Sequence, residues 1–371
     1  MNLLLLVPFA LGLRLAGVPA LRVVLFSAIF SGTVESLQFA LIPGRDASLS
    51  DLLTNTISGA LGAALGRWLG TLLFPAPENG GQLTIAACIV WLSTLMTTAW
   101  LLTPWVPELP LHGSWAGSLV SRPAFSGTVA EATLAGLPLS DGLLLEPSHV
   151  RTMVNGGTID VAVSARSGRP TDRWAPIVSL YAPSGVVLGL NQIRHGLVFE
   201  YPARSAQLRL RDPAVVVEDA LPDRAGTAMH LAAGARERTL WVQASWPGRW
   251  RRYETTLRPT LGWSLLLPFE YAYDAGTDLL TALWIVGLTL PIGYWSRAAA
   301  RGGNAWWLAV PVLAIVLGSG GVPVVTGYPP APDWEWLAAT GGVAAGWVLY
   351  PAAAYLASRC GFPSIGESSL S

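Results

Sequence analysis

Phe26–Gly70 reads FSAIFSGTVESLQFALIPGRDASLSDLLTNTISGALGAALGRWLG, and this stretch decides the fold. It is apolar enough to lie in a bilayer, and it predicts two membrane-length helices joined by a short polar turn at Ile42–Asp46. Among its charged and amide side chains, five lie close together in the sequence: Glu35, Gln38, Arg45, Asp51 and Asn55. Ionisable groups at membrane depth cost free energy, so they occur mostly where they pair, bind or act. The stretch is therefore the leading candidate for a functional site.

These polar side chains are spaced so that they meet. Glu35 and Gln38 are three residues apart and share one helix face, and Asp51 and Asn55, four apart, do likewise. The short turn brings both faces to one membrane boundary, with Arg45 above them. In one interpretation Arg45 holds a phosphate or carboxylate and an acid moves a proton. In another, Arg45 pairs with an acid and Gln38 bonds Asn55, which gives a structural interhelical network. Binding or structural pairing is favoured over catalysis, because no nucleophile and base pair is visible.

The composition indicates an integral membrane protein. Of 371 residues, 52% are hydrophobic and 12% are charged. The formal net charge is zero, so nothing in it favours a nucleic-acid partner.

The apolar segments predict about seven membrane spans. They are Met1–Leu13, which is short, Ala20–Ile42, Ser48–Phe74, Leu83–Leu102, Leu279–Trp295, Ala305–Val325 and Trp336–Leu356. Gly62, Gly66 and Gly70 recur every fourth residue and predict a smooth face for helix packing.

The middle of the chain has a different sequence pattern from the apolar segments on either side. Short alternating runs bounded by Gly, Pro or Ser predict an inserted β-sandwich or jelly roll. The runs are Thr158–Ser164, Ile177–Tyr181, Val186–Leu190, Leu197–Phe199, Gln207–Leu210 and Leu240–Ala244. The predicted organisation is a helical module (1–104), a β-sandwich (105–270), further membrane helices (271–358) and a cytoplasmic tail (359–371). The histidines lack zinc-site spacing, so neither a metal nor a cofactor is expected.

Arginine placement predicts the orientation. If the β-sandwich is extracytoplasmic, the arginines near the span ends are divided unequally between the two sides of the membrane. One lies outside, in a short connection between two spans, and the others lie on the cytoplasmic side. The former is Arg45, and the latter are Arg14, Arg22, Arg67, Arg297, Arg301 and Arg359. We therefore expect the N-terminus outside, the C-terminus inside, and a bacterial plasma (inner) membrane as the location.

The first segment resembles the VanZ-like membrane protein family. The residues that carry the resemblance are Asn2, Pro8-Phe9, Glu35, Gln38, Pro43-Gly44-Arg45, Asp51, Asn55 and Gly62. Two departures stand out: Ser58 occupies a position where the family commonly has Gly, and the family usually has one more helix before Asn2. The second departure leaves open whether an N-terminal helix is missing, either because the chain is a fragment or because its start codon is miscalled.

The resemblance implies a role in the cell envelope, since the family is associated with low-level resistance to teicoplanin-type glycopeptide antibiotics. It implies no settled reaction. In addition, Ala175–Gln192 resembles the strand pairs of concanavalin-like (laminin-G-type) jelly rolls.

Together these features predict an α+β membrane protein, a transmembrane helical bundle with an inserted extracytoplasmic β-sandwich. The first hypothesis is a non-enzymatic protein whose outward-facing pocket binds or shields a lipid-linked cell-wall or glycopeptide-type antibiotic group. The second is a membrane enzyme that acts on a lipid-linked sugar or phosphate at the outer leaflet. The third is a membrane-anchored glycan-binding module with a stacking surface of Trp241, Trp246 and Trp250. Membrane lipids and a lipid-linked envelope precursor or glycan are the expected partners.

Overall fold

The structure, a computed structural model, describes residues 6–41, 49–115, 125–139, 141–144, 146–183, 185–267 and 269–359, without the side chains at positions 39, 41 and 49–51. Predictions that concern Asn2, Arg45, the side chain of Asp51 or the tail from position 360 lie outside the described residues. The chain divides into two compact units. The first comprises Met1–Ala86, Ile292–Ala309 and Ala345–Ser371, and the second comprises Ala87–Pro291 and Val310–Ala344.

Long helices flank a central region of strands. The α-helices are α1 Val7–Leu15, α2 Ala20–Leu41, α3 Leu49–Leu73, α4 Pro77–Leu101, α5 Pro147–Asn155, α6 Gly262–Leu265, α7 Thr277–Ala300, α8 Ala309–Ile315, α9 Val322–Thr326 and α10 Asp333–Arg359. The strands are β1 His112–Trp115, β2 Thr128–Leu134, β3 Leu137–Pro138, β4 Gly142–Leu143, β5 Ile159–Arg166, β6 Ala175–Ala182, β7 Gly185–Ile193, β8 Gly196–Glu200, β9 Ala214–Val217, β10 Ala228–Arg236, β11 Thr239–Trp246 and β12 Arg249–Thr256.

Five helical segments of the described residues are long and apolar enough to cross a membrane. They are Ala20–Gln38, Pro77–Leu101, Thr277–Ala300, Ala305–Thr326 and Asp333–Arg359. At most 39% of each apolar window is buried, so most of these surfaces are left for lipid. Together with the two antiparallel sheets, they make the chain an α+β membrane protein. A count of seven spans stays a prediction, since α1 has nine described residues and α3 is not among the five.

Two helix boundaries differ from the prediction for local reasons. The fourth span was predicted to begin at Leu83, but α4 begins earlier, with Pro77 as its first residue. Proline suits that position because its fixed φ matches the helix and its missing N–H has no partner there. The predicted Ala305–Val325 span is not one regular helix, since a π-helical turn at Val316–Gly321 separates α8 from α9.

In the first unit, α1, α2 and α3 pack through small residues. The backbone N–H of Leu6 donates to Ser58 Oγ at 3.0 Å. A Cβ added to Gly62 would lie 2.6 Å from the carbonyl oxygen of Val7, and one added to Gly66 would lie 2.5 Å from Arg14 Cγ. From Gly62 to Gly66 on α3, the contacted residue on α1 changes from Val7 to Arg14. The residue numbers rise together on both helices, so α1 runs parallel to α3. Gly70 lies one helical turn further along the same face of α3.

The C-terminal end of α3 is held by side chains of α7. Tyr294 Oη donates to the carbonyl oxygen of Leu73 at 2.6 Å, and Trp295 Nε1 donates to that of Leu72 at 2.8 Å. The last carbonyl groups of a helix have no partner within it, so these bonds satisfy acceptors that would otherwise be unpaired in an apolar surrounding.

Two six-stranded antiparallel sheets form the sheet domain, which we define as residues 112–256. Their strand orders are β4-β1-β6-β7-β8-β9 and β12-β11-β10-β5-β2-β3. The residues that alternate inward from both sheets form one continuous hydrophobic core, which includes Val161, Leu190, Phe199 and Val242. Two stacked sheets around one core agree with the predicted inserted β-sandwich, and likeness to the concanavalin type stays a prediction.

Most predicted strand runs are strands, and one is wrong. Ala175–Ala182 and Gly185–Ile193 pair as a hairpin, as the sequence predicted. Gln207–Leu210 is not a strand, because Arg204–Leu208 forms a 3-10 helix that ends at Arg209 in the left-handed region, with φ of 56°. A left-handed residue interrupts the alternation of an extended chain, so the apolar pattern Gln-Leu-Arg-Leu does not continue as a β-ladder.

In the second unit, Arg258, just after the last strand of the sheet domain, forms ion pairs with the first turns of two helices. Arg258 Nε lies 2.7 Å from Glu335 Oε1 at the start of α10, and Arg258 Nη2 lies 3.1 Å from Asp278 Oδ1 at the start of α7. Thr260 Oγ1 also donates to Glu335 Oε1, at 2.9 Å. The guanidinium lies 5.3 Å from the centroid of the Trp334 ring. Only 1% of the Glu335 side chain is exposed, so Arg258 compensates a carboxylate that water does not reach.

Candidate functional site

Small polar side chains line the contact between α2 and α3. Asn55 Nδ2 of α3 donates to Ser31 Oγ of α2 at 3.0 Å, and Ser31 is buried. One step along, Gly59 lies so close to Ser27 that a Cβ at position 59 would overlap the serine hydroxyl. The two contacts place 27 opposite 59 and 31 opposite 55, so α2 and α3 run antiparallel. This register fixes which faces of the two helices meet.

The same register brings the predicted acidic and amide residues to one line. On α2, Ser27, Ser31, Glu35 and Gln38 follow one another at helical spacing on the face that contacts α3. We call these four residues, with Asn55, the polar seam. The next step of the register places position 51 of α3 opposite position 35 of α2. Arg45 and the side chain of Asp51 lie outside the described residues, so their part in the site stays a prediction.

Gln38 is the member of the polar seam with an unsatisfied group. Its Oε1 atom is buried and accepts no hydrogen bond from the part of the chain that the structure describes. A buried amide oxygen without a donor costs about 1–3 kcal/mol. The structural interpretation expected a hydrogen bond between the amides of Asn55 and Gln38. The hydrogen bond that the structure shows for the Asn55 amide is the one to Ser31.

Sequence reasoning missed the serines of this site. Ser27 and Ser31 lie one turn apart on the apolar helix α2, and a serine in such a helix is weak evidence by itself, because its hydroxyl can bond the preceding turn. Ser27 does this, donating to the carbonyl oxygen of Val23 at 2.9 Å. Ser58 was noted as a departure from the family pattern, and the structure gives its role as the acceptor for the first turn of α1. The spacing 27, 31, 35 and 38 was the available signal.

The tryptophans of the sheet domain do not form one stacking surface. Trp241 lies across Gly234 of the neighbouring strand, and the Arg252 guanidinium covers the ring at 5.2 Å from its centroid. Trp246 is five positions further along β11, on the opposite face, and packs against the core. Trp250 is 59% exposed and lies on the outer face. A glycan would have one open ring here in place of the predicted three.

A serine and a histidine do meet on the outer face of the second sheet. Ser164 Oγ lies 3.2 Å from His230 Nδ1, across the paired strands β5 and β10. Glu131 is paired with Ser164 on the other side, so the order is acid, serine, histidine. A catalytic triad needs the acid on the histidine, where it orients the ring. The pair is exposed on an open sheet face, and we interpret it as a cross-strand hydrogen bond.

Two largely buried carboxyl groups, on β8 of the first sheet and just before β9, were also missed. Asn191 Nδ2 donates to Glu200 Oε2 at 2.8 Å, and the carboxyl group lies over Gly189. Burial raises the pKa of Glu200 to about 7, while the Asn191 hydrogen bond acts in the opposite direction. Burial likewise raises the pKa of Asp212 to about 6, against a hydrogen bond from Ser205 Oγ at 2.9 Å. Among the described residues, no group of three or more His, Cys, Asp or Glu side chains is arranged to hold a metal ion.

Comparison with known proteins identifies one part of the chain. Residues 1–70 match the sequence model of the VanZ/LLP1 family. No curated protein and no solved structure matches the chain. The matched range contains α1, α2 and most of α3, and therefore the whole polar seam. The resemblance deduced from Glu35, Gln38, Arg45, Asp51 and Asn55 is thus confirmed: the first 70 residues are a VanZ-type segment of a membrane protein.

Proposed function

We propose that this chain is a cell-envelope protein of the VanZ type whose polar seam forms one wall of a binding site. The ligand class is a lipid-linked cell-wall group or a glycopeptide-type antibiotic, which the protein binds or shields without catalysis. In this proposal Arg45 holds a phosphate or carboxylate of the ligand, and the amides of Gln38 and Asn55 orient it. Glu35 and Asp51 complete the polar lining.

The Oε1 atom of Gln38, which is buried and has no hydrogen-bond partner among the described residues, carries this proposal. In a closed structural network, each amide group in a membrane-spanning bundle is expected to have a partner, since lipid offers none. The Gln38 Oε1 atom has no donor among the described residues. This favours a binding site in which a donor group of the ligand forms that hydrogen bond. Family membership of residues 1–70 supports a role in the envelope.

The orientation is part of the proposal. The arginines near the span ends, other than Arg45, support a cytoplasmic position for those ends. The connection between α2 and α3 and the sheet domain then share the extracytoplasmic side of a bacterial inner membrane. A lipid-linked envelope group would meet the polar seam from that side.

The other two hypotheses receive less support. A membrane enzyme needs a nucleophile and base in a cleft, whereas Ser164 and His230 pair on an open sheet face with the acid misplaced. A glycan-binding surface needs open aromatic rings, whereas Arg252 covers Trp241. Binding without reaction at the polar seam is the function that the geometry supports best.

Binding by the purified full-length protein tests this function. The probes are a polyprenyl-diphosphate-linked cell-wall precursor and teicoplanin, each titrated in detergent against wild type, Arg45→Ala and Gln38→Leu. Loss of a hydrogen bond to a charged group is worth about 1.5–3 kcal/mol, so Arg45→Ala is expected to weaken binding tenfold or more. Gln243→Leu, on a strand of the sheet domain, is the matched control and should bind as wild type does. Equal affinity for wild type and Arg45→Ala with both probes would refute the proposal.

A further inference from the structure

Arg204 lies beside the end of a membrane helix, and the Nε atom of its side chain is buried without a partner among the described residues. Its backbone N–H donates to the carbonyl oxygen of Thr103, just after α4, at 3.0 Å. Its guanidinium lies 5.6 Å from the centroid of the Trp100 ring, in the last turn of α4. Within the described part of the chain the side chain makes no ion pair, and its buried Nε has no hydrogen-bond partner. The cation is therefore placed against an aromatic ring and lacks an anion.

Exposed apolar side chains lie on the segments next to this arginine. Leu208, in the same 3-10 helix, is 57% exposed, Trp100 is 45% exposed, and Leu266 is 63% exposed. The backbone N–H of Arg211 donates to the carbonyl oxygen of Leu265 at 3.2 Å, which holds the segments of Leu208 and Leu266 together. A second arginine, Arg209, is also exposed here. We call Trp100, Arg204, Leu208, Arg209 and Leu266 the arginine rim.

The arginine rim lies at the level where two spans leave the apolar layer. The short helix α6 packs between them: a Cβ at Gly262 would overlap Thr98 of α4, and Trp263 Nε1 donates to Thr281 Oγ1 of α7 at 3.1 Å. The 25 residues of α4 extend about 37 Å, longer than the ~30 Å hydrocarbon core. The last turn of α4 and the first turn of α7 are therefore at head-group depth, where tryptophan and arginine are favoured.

We propose that the arginine rim is a phospholipid-binding site. Arg204 and Arg209 bind the phosphate of a membrane phospholipid, and its acyl chains pack along Trp100, Leu208 and Leu266. A planar guanidinium suits phosphate oxygens, and the apolar side chains suit a lipid rather than a free anion. This contact seats the sheet domain on the bilayer surface. The inference rests on membrane spanning by α4 and α7 and is independent of the polar seam.

Lipid retention by the delipidated full-length protein tests the site. Phosphatidylglycerol is added back in detergent, and bound lipid is counted by native mass spectrometry for wild type, Arg204→Gln, Arg209→Gln and the double variant. Each arginine near an anionic lipid contributes about fivefold in affinity, equal to about 1 kcal/mol, so the double variant should bind roughly 25-fold more weakly. Arg236→Gln and Arg249→Gln, exposed arginines of the sheet domain, are the matched controls and should retain lipid as wild type does.

A second measurement keeps the test independent of folding defects. A photoreactive benzophenone side chain replaces Leu266 in the otherwise wild-type protein, and cross-linked phospholipid is identified after irradiation in phosphatidylglycerol nanodiscs. Cross-linking at position 266, with none at the exposed control position 250, supports the site. Equal retention by the double variant and wild type overturns it, as does an absence of cross-linking at 266. Displacement of the lipid by inorganic phosphate alone would show a free-anion site and would overturn the assignment to phospholipid.

Discussion

Replacement of Glu200 by glutamine is expected to make the sheet domain more stable at pH 8 and to change little at pH 5. Glu200 is buried beside Asn191 and near Asp212 on the first sheet. Burial raises its pKa from 4.5 in the unfolded chain to about 7 in the folded state. Between these values the folded state holds a proton that the unfolded state has lost, so stability falls as the pH rises.

The size of the effect follows from the difference between the two pKa values. About 2.5 pH units at 1.36 kcal/mol each amount to roughly 3 kcal/mol of stability, present below pH 4.5 and lost by the time the pH passes 7. Glutamine stays neutral and its Oε1 accepts the same hydrogen bond from Asn191, so the variant avoids this loss. For a domain of this size the difference equals roughly 6–12 °C in Tm at pH 8. Asp212, whose pKa is also raised by burial, leaves a smaller pH dependence in both proteins.

Thermal unfolding of the purified protein in detergent, followed between pH 5 and 8, measures this difference. Hydrogen exchange of peptides that cover β7 and β8 assigns it to the first sheet. Glu131→Gln, at an exposed position of β2, is the matched control and should follow wild type within about 1 °C. Parallel curves for Glu200→Gln and wild type across the whole range would refute the argument from burial.

Three further predictions concern packing. Gly62→Ala should destabilise the first unit by about 1–3 kcal/mol, because the new Cβ meets the backbone of α1. Gly341→Ala, where a Cβ has nothing within 4 Å, is the control and should stabilise the protein by up to about 1 kcal/mol. Equal Tm values for the two variants would contradict this. Arg258→Gln should lower the free energy of unfolding by about 3–5 kcal/mol, since it leaves the Glu335 carboxylate buried and unpaired. Adding Glu335→Gln should restore part of the lost stability, as thermal unfolding would show. Additive losses in the double variant would argue against the ion pair. Ser58→Ala removes an acceptor worth about 1 kcal/mol and should speed hydrogen exchange in α1, and unchanged exchange there would exclude the bond.

Much of the fold follows from patterns that the sequence displays directly. Apolar runs such as Ala20–Ile42 predicted helices, and the alternation around Ala175–Gln192 predicted a hairpin that the structure contains. The Gln207–Leu210 run failed because a left-handed residue ends its 3-10 helix, and four alternating residues do not reveal that backbone state. Strand β10 was missed since its alanines and glycine lack β-branched character, and its place comes from pairing with β5 and β11.

The site was predictable in its charged and amide residues and not in its serines. Glu35 and Gln38 are conspicuous because a charge or amide is rare at membrane depth. Ser31, which contacts Asn55, is not, because its importance depends on the register between α2 and α3. Glu200 was missed for a related reason: its burial comes from tertiary packing around a position that follows a short strand run.

Site-directed labelling tests whether the polar seam opens to the extracytoplasmic side. Ala47→Cys, in the connection between α2 and α3, is made in a Cys88→Ser, Cys360→Ser background, and a companion protein keeps the native Cys360 as the internal reference. With a membrane-impermeant maleimide on intact spheroplasts, we predict labelling at position 47 and labelling of Cys360 only after lysis. Labelling of Cys360 in intact spheroplasts, with position 47 protected until lysis, would contradict this prediction.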